Sequence, residues 1–122
     1  MDNDYKKNIL KLLKKNKTLI DKNIKNYLNK LNAPSEIKKI MAYAVLGGGK
    51  GIRPFLLAET AKLYGVKPAF YVFPSMAVEL AHCFSLIYDD LPCMDNDELR
   101  RGKPTVHLAF NEANALLGGA SL

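Results

Sequence analysis

Apolar residues recur at helical spacing along most of the chain. From about residue 5 to 31, Ile9, Leu13, Ile20, Ile24, Tyr27, Leu28 and Leu31 follow one another at steps of three, four and seven, with Lys and Asn between them. One long amphipathic helix is predicted there. Asn32-Ala33-Pro34 interrupts it, and Pro34 suits the first position of a second helix, where a missing N–H costs nothing. Ile37, Ile40, Met41, Ala44 and Val45 then line one face, and Gly47-Gly48-Gly49 ends the run. Pro54 can open a third helix through Leu56, Leu57, Ala61 and Leu63 to Gly65. A fourth, from about Pro74 to Leu91, is apolar on nearly every side, which predicts burial. A short helix from Thr105, carrying Val106, Leu108, Ala109 and Phe110, and another from Glu112 to Leu117 complete the pattern. No alternation lasts long enough to predict a strand. The expected class is all-α.

Composition adds three points. With 122 residues, 48% hydrophobic and 25% charged, the chain has the make-up of one globular domain or part of one, not of a disordered segment. Cys83 and Cys93 lie ten residues apart with no C-x-x-C pair, so neither a disulfide framework nor a four-ligand zinc site is expected, and a reduced, cytoplasmic setting fits. No run is expected to reach the length of a membrane span, and Met1 to Lys17 lacks the apolar stretch of a signal peptide. The net charge of +6 is local: residues 1–40 carry eleven Lys against Asp2, Asp4, Asp21 and Glu36, while the remainder has one acidic residue in excess. The Lys-rich face could attract RNA, an anionic membrane surface or an acidic partner, but it has no Arg and few aromatics, so a solvated face is the stronger reading and no nucleic-acid partner is expected.

The densest chemistry lies in Asp89-Asp90-Leu91-Pro92-Cys93-Met94-Asp95-Asn96-Asp97-Glu98, with Arg100-Arg101 directly after. Crowded carboxylates repel one another unless something cationic sits among them. Oxygen donors without His or Cys suit Mg2+ or Ca2+ better than zinc, and the spacing does not match an EF-hand loop. On a continuous helix Asp89 and Asp95 would stand about 9 Å apart along the axis and about 120° apart around it, too far to share one ion. Pro92 loosens the chain between them, which lets Asp95 bend back or reach Asp89 through a bridging ligand. Without other residues, a solvated acidic turn explains the cluster equally well. The balancing cations lie elsewhere. Gly48-Gly49-Lys50-Gly51-Ile52-Arg53-Pro54 sets one ammonium and one guanidinium before a helix N-terminus, although it is no P-loop and a Gly-rich helix end accounts for it too. His82 and Asp89, seven residues apart, share a helix face, where a lone His is ordinarily a core residue. Together the cations and carboxylates suit two diphosphates, one of them held through magnesium.

At these residues the sequence resembles the trans-prenyltransferases, the family of farnesyl and geranylgeranyl diphosphate synthases. Asp89 to Asp95 is similar to the family's first aspartate-rich motif in its longer DDxxxxD form, continued by Arg100-Arg101-Gly102-Lys103-Pro104-Thr105. Glu79-Leu80-Ala81-His82 with Ser85-Leu86-Ile87 resembles the helix leading into that motif, and Lys50 with Arg53 the GGKRxRP segment. The resemblance implies the N-terminal helices of the isoprenoid synthase fold. It implies further that Asp89 and Asp95 ligate Mg2+ on an allylic diphosphate, that Arg100 contacts that diphosphate, and that Lys50, Arg53, His82 and Arg101 bind isopentenyl diphosphate. Phe84, five residues before Asp89, would floor the hydrocarbon pocket and select a fifteen-carbon product. In the family the allylic diphosphate ionises, the homoallylic alkene attacks the cation and a proton is lost.

Three positions depart from the family pattern: Gly51 replaces a basic residue, Tyr88 a common His, and Ala120 a common Asp. Family members are more than twice as long, and their second aspartate-rich motif lies beyond Leu122. The expectation is therefore the N-terminal part of a single domain, inactive alone, whose partner is a second copy of the chain or the missing half. The alternative is a non-catalytic remnant or a diphosphate–Mg2+ binding module that works through helix pairing.

Overall fold

A computed structural model describes residues 2–122. Among these residues six helices and one minimal hairpin follow in chain order: α1 Asp2–Lys30, α2 Ser35–Val45, α3 Ile52–Leu63, α4 Pro68–Asp89, β1 Leu99–Arg100, β2 Lys103–Pro104, α5 Val106–Ala109 and α6 Glu112–Ala120. The all-α class stands. Two compact units divide these elements, one from residues up to Ile24 with Lys50–Glu79, the other from Lys25–Gly49 with Leu80–Leu122.

In the first unit Ile20 and Ile24 of α1, Ala58 of α3, and Tyr71 and Met76 of α4 are buried. Gly51 forms the N-cap of α3, with the aliphatic stem of Lys17 against it, and Lys17 pairs with Asp21 one turn along α1 at 2.6 Å. Pro54 stands in the first turn of α3, two residues later than a helix opening at Pro54 would place it. Its ring costs nothing there, because the first four helical N–H groups have no intrahelical acceptor.

The beginning of α4 differs from expectation. The helix opens at Pro68, not Pro74, and Pro74 lies inside it. A proline inside a helix forfeits one hydrogen bond and crowds the carbonyl four residues earlier, here that of Phe70. Phe70, Phe73 and Pro74 are exposed, so water can solvate that carbonyl. Burial on every side is also overturned: Phe70 is 72% exposed, and Phe73, Ala77, Ala81 and Phe84 continue an uncovered line at steps of three and four. The membrane expectation needs correcting too. α4 is 22 residues long and its most apolar window has a mean hydropathy of 1.4, so by length and composition alone it could cross a membrane. Buried Ser75 and Glu79 on one face mark it as a core helix instead.

The second unit is built around Ile40 of α2, Ile87 and Leu91 at the end of α4, Val106 of α5 and Ala115 of α6. Tyr43 meets Phe110 edge-on at 5.4 Å between ring centroids. Pro34 is the N-cap of α2 and not its first residue. Asn111 caps α6 by accepting a hydrogen bond from the Asn114 N–H at 2.7 Å. Two glycines let α6 approach its neighbours: a Cβ at Gly118 would overlap the Ile40 side chain, and one at Gly119 would stand 2.7 Å from the Tyr88 ring. Gly118→Ala should therefore lower stability by about 1–3 kcal/mol, although Ala favours a helix by about 1 kcal/mol over Gly. A urea titration reads this as a lower midpoint; a raised midpoint would show that Ile40 yields freely.

The hairpin was not expected from the sequence. Arg100 pairs with Lys103 and Leu99 with Pro104, closed by Arg101 and Gly102 at φ 54° and 74°. Positive φ at both central residues is the two-residue turn whose twist matches antiparallel strands, and Gly102 enters it without steric cost. Arg101 holds its positive φ while its guanidinium donates to the Gly48 carbonyl.

Candidate diphosphate site

α4 ends at Asp89, and the chain then folds back on itself. The Asp95 N–H donates to the Asp89 carbonyl at 2.8 Å, while the Met94 and Asn96 N–H groups both reach the Leu91 carbonyl, at 2.9 and 3.0 Å. Asn96 adopts φ 52°, a value Asn tolerates better than most residues. This turn returns the Asp95 backbone to the helix end, where a continuous helix would have carried it about 9 Å away. Asp89 is half-buried and Asp95 and Asp97 are exposed.

Arg100 is held by Asp90, a residue the sequence reading left without a role. Nε donates to Asp90 Oδ2 and Nη2 to Oδ1, each at 2.7 Å, and Asp97 Oδ2 lies 3.9 Å from Nη2. The hydrogen bond to Asp90 raises the Arg100 pKa, outweighing the opposing effect of partial burial, so the guanidinium stays charged. Arg101, on the next residue, donates from Nη1 to the Gly48 carbonyl at 2.7 Å. A Cβ at Gly49 would overlap that guanidinium, which explains a glycine there. Tyr43 donates from its hydroxyl to the Pro104 carbonyl at 2.8 Å, and Thr105 from its hydroxyl to the Asp97 carbonyl at 2.7 Å. The hairpin is thus tied to α2, to the glycine loop and to the acidic turn. A small pocket of about 40 Å3 opens between Tyr43, Gly47, Cys83, Asp90, Arg100 and Arg101.

His82 is half-buried on α4, and its carbonyl accepts from the Ser85 hydroxyl at 2.8 Å. Phe84 is 39% exposed, with its ring 4.6 Å from that of Tyr88. Tyr88, where a His is common in the resembling family, donates to the Leu116 carbonyl at 3.2 Å and packs on Gly119, so it ties α4 to α6. Asp89, Asp95, Arg100, Arg101, His82 and Phe84 all belong to the second unit. Lys50 and Arg53, at the glycine loop and the first turn of α3, are exposed and belong to the first.

No three His, Cys, Asp or Glu side chains among the described residues come close enough to cage a metal. Mg2+ is ordinarily held by one or two carboxylates with substrate phosphates and water completing its octahedron. The candidate donors Asp89 and Asp95 are carboxylates, the donor chemistry that Mg2+ takes.

Residues 34–122 match the polyprenyl synthetase family model. The chain is 46% identical over 110 residues to the farnesyl diphosphate synthase of Geobacillus stearothermophilus, covering 90% of this chain and 37% of that protein. To geranylgeranyl pyrophosphate synthase 4 of Arabidopsis thaliana it is 51% identical over 89 residues, 73% of this chain and 24% of the other. The solved geranyltransferase of Legionella pneumophila superposes with a TM-score of 0.86 at 38% identity, over 99% of this chain and 42% of that one. The mainly helical architecture and its superposition on that solved structure place the fold in the isoprenoid synthase class. This chain belongs to the polyprenyl synthetase family. It spans well under half the length of each of these three relatives.

Proposed function

We propose that the chain supplies the allylic-diphosphate side of a short-chain prenyl diphosphate synthase, which joins isopentenyl diphosphate to a dimethylallyl or geranyl diphosphate, with farnesyl diphosphate as product. The observation that carries this reading is the turn joining Asp95 to Asp89 beside the anchored Arg100–Arg101 hairpin. Asp89 and Asp95 would hold Mg2+, which when bound neutralises charge on the leaving diphosphate. Arg100 meets the same diphosphate, and its fixed positive charge stabilises the negative charge that grows as the carbon–oxygen bond breaks. The family resemblance assigns Lys50, Arg53, His82 and Arg101 to the second diphosphate, and Phe84 with its apolar neighbours would keep water from the allylic cation. A second copy of the chain, or a polypeptide carrying further helices of the fold, is the macromolecular partner in this reading.

The 122 residues hold a single acidic cluster, since Glu59, Glu79 and Glu112 are scattered. They also leave Leu63, Tyr64, Phe70, Phe73, Leu108 and Leu117 more than half exposed. A polypeptide limited to these residues should bind an allylic diphosphate analogue in calorimetry only when Mg2+ is present, associate in sedimentation, and turn over no isopentenyl diphosphate. Metal-independent binding of equal strength would count against the site, and unaided turnover by a monomer against the need for a partner.

A further inference from the structure

Asp90 follows the last residue of α4, with its N–H on the Leu86 carbonyl at 3.1 Å and its side chain only 2% exposed. A buried carboxylate needs a partner, and here it takes both hydrogens along one edge of the Arg100 guanidinium, the Nε–Nη2 edge. The planar guanidinium has a second edge, made by Nη1 and the remaining Nη2 hydrogen. Asp97 is 3.9 Å from Nη2, beyond hydrogen-bond distance, and the Arg100 side chain is 33% exposed. One edge is spent on the protein while the other is available to a ligand.

The backbone under Arg100 is fixed as well. Arg101 is tied to Gly48, Pro104 accepts from Tyr43, and the Thr105 N–H donates to the Glu98 carbonyl at 3.0 Å, so both ends of the hairpin are anchored. A free arginine loses much rotamer freedom on gripping an anion, and one already oriented loses far less.

We propose that Asp90 is a positioning residue, which fixes Arg100 by its Nε–Nη2 edge and so presents the opposite edge, preset, to a diphosphate. The proposal rests on the reading above that Arg100 contacts the allylic diphosphate. Asp90 itself touches no ligand; it acts through Arg100.

The test is a double-mutant cycle on the 122-residue chain, with inorganic pyrophosphate and Mg2+ as the probe in calorimetry and urea unfolding as a check on folding. Asp90→Asn keeps the shape of the side chain and removes its charge, and Arg100→Lys keeps the charge and removes the fork. Asp90→Asn should weaken pyrophosphate binding about tenfold, Arg100→Lys by at least as much, and the double variant no further than Arg100→Lys alone. A merely structural role would lower the urea midpoint and leave the two effects additive, which overturns the proposal. Tighter or unchanged binding in Asp90→Asn, with Arg100→Lys weakened, also overturns it, since Asp90 would then compete with the ligand for Arg100. If Arg100→Lys binds at full strength, the assignment of Arg100 to the diphosphate fails, and the role of Asp90 falls with it.

Discussion

Asp89→Ala and Asp95→Ala should each abolish Mg2+-dependent binding of an allylic diphosphate, while Asp97→Ala should leave it within about threefold. The difference comes from the turn. The hydrogen bond from the Asp95 N–H to the Asp89 carbonyl joins those two residues at the end of α4. Asp97 comes after the reversal at Asn96, where its carbonyl accepts from Thr105 and its side chain lies near Arg100. An ion held mainly by a diphosphate needs each of its few protein carboxylates, so losing either one leaves the charge of the diphosphate uncompensated. Calorimetry with and without Mg2+ reads the effect. Equal losses at all three positions would mean that the cluster acts as a diffuse negative patch, and retained binding in the first two would remove them from the site.

Phe84→Ala has the other large effect, on what is made. Phe84 stands five residues before Asp89, about 7.5 Å down the helix axis from the diphosphate end. Its ring is stacked at a tilt on Tyr88, which is itself tied to Leu116 and Gly119, so it is braced against being pushed aside by a growing chain. In the proposed reading, replacing it with Ala would remove the floor of the hydrocarbon pocket. In a hybrid in which residues 34–122 replace the matching part of the Geobacillus farnesyl diphosphate synthase, the product should shift from fifteen carbons to twenty or more, read by chromatography of the dephosphorylated alcohols. An unchanged fifteen-carbon product would make Phe84 an ordinary packing residue.

Much of this was legible in the chain because its punctuation is strong. Pro34 and the Gly47-Gly48-Gly49 triplet bound α2 within a residue or so, Thr105 marks the start of α5, and the start read at Glu112 is that of α6. α4 was misplaced at its start for a physical reason. Proline costs nothing in a first turn and a hydrogen bond inside a helix, so local pattern favours a start at Pro74, and only the solvated Phe70 carbonyl lets the helix run through it from Pro68. The exposed line through Phe70, Phe73 and Ala77 was unreadable because an all-round apolar helix carries no record of which side its neighbours cover.

The hairpin escaped because two-residue strands show no alternation and Arg-Gly is a weaker turn signal than Asn-Gly or Asp-Gly. The carboxylate motif was visible as composition, and Pro92 gave the reason for the chain to reverse. Asp90 was not singled out, since its meaning lies in a pairing with Arg100 ten residues on that only the fold creates. Tyr88 stood out only as a departure and Gly118 not at all, until Leu116 and Ile40 supplied what they touch.

The central claim is that these residues form the working diphosphate half of a prenyl diphosphate synthase, and the Geobacillus hybrid measures it directly. Supplied with isopentenyl and dimethylallyl diphosphates, the hybrid should form farnesyl diphosphate at a rate that requires Mg2+ and disappears with Asp89→Ala. A folded hybrid that consumes no isopentenyl diphosphate, or one whose activity survives Asp89→Ala, would contradict the claim.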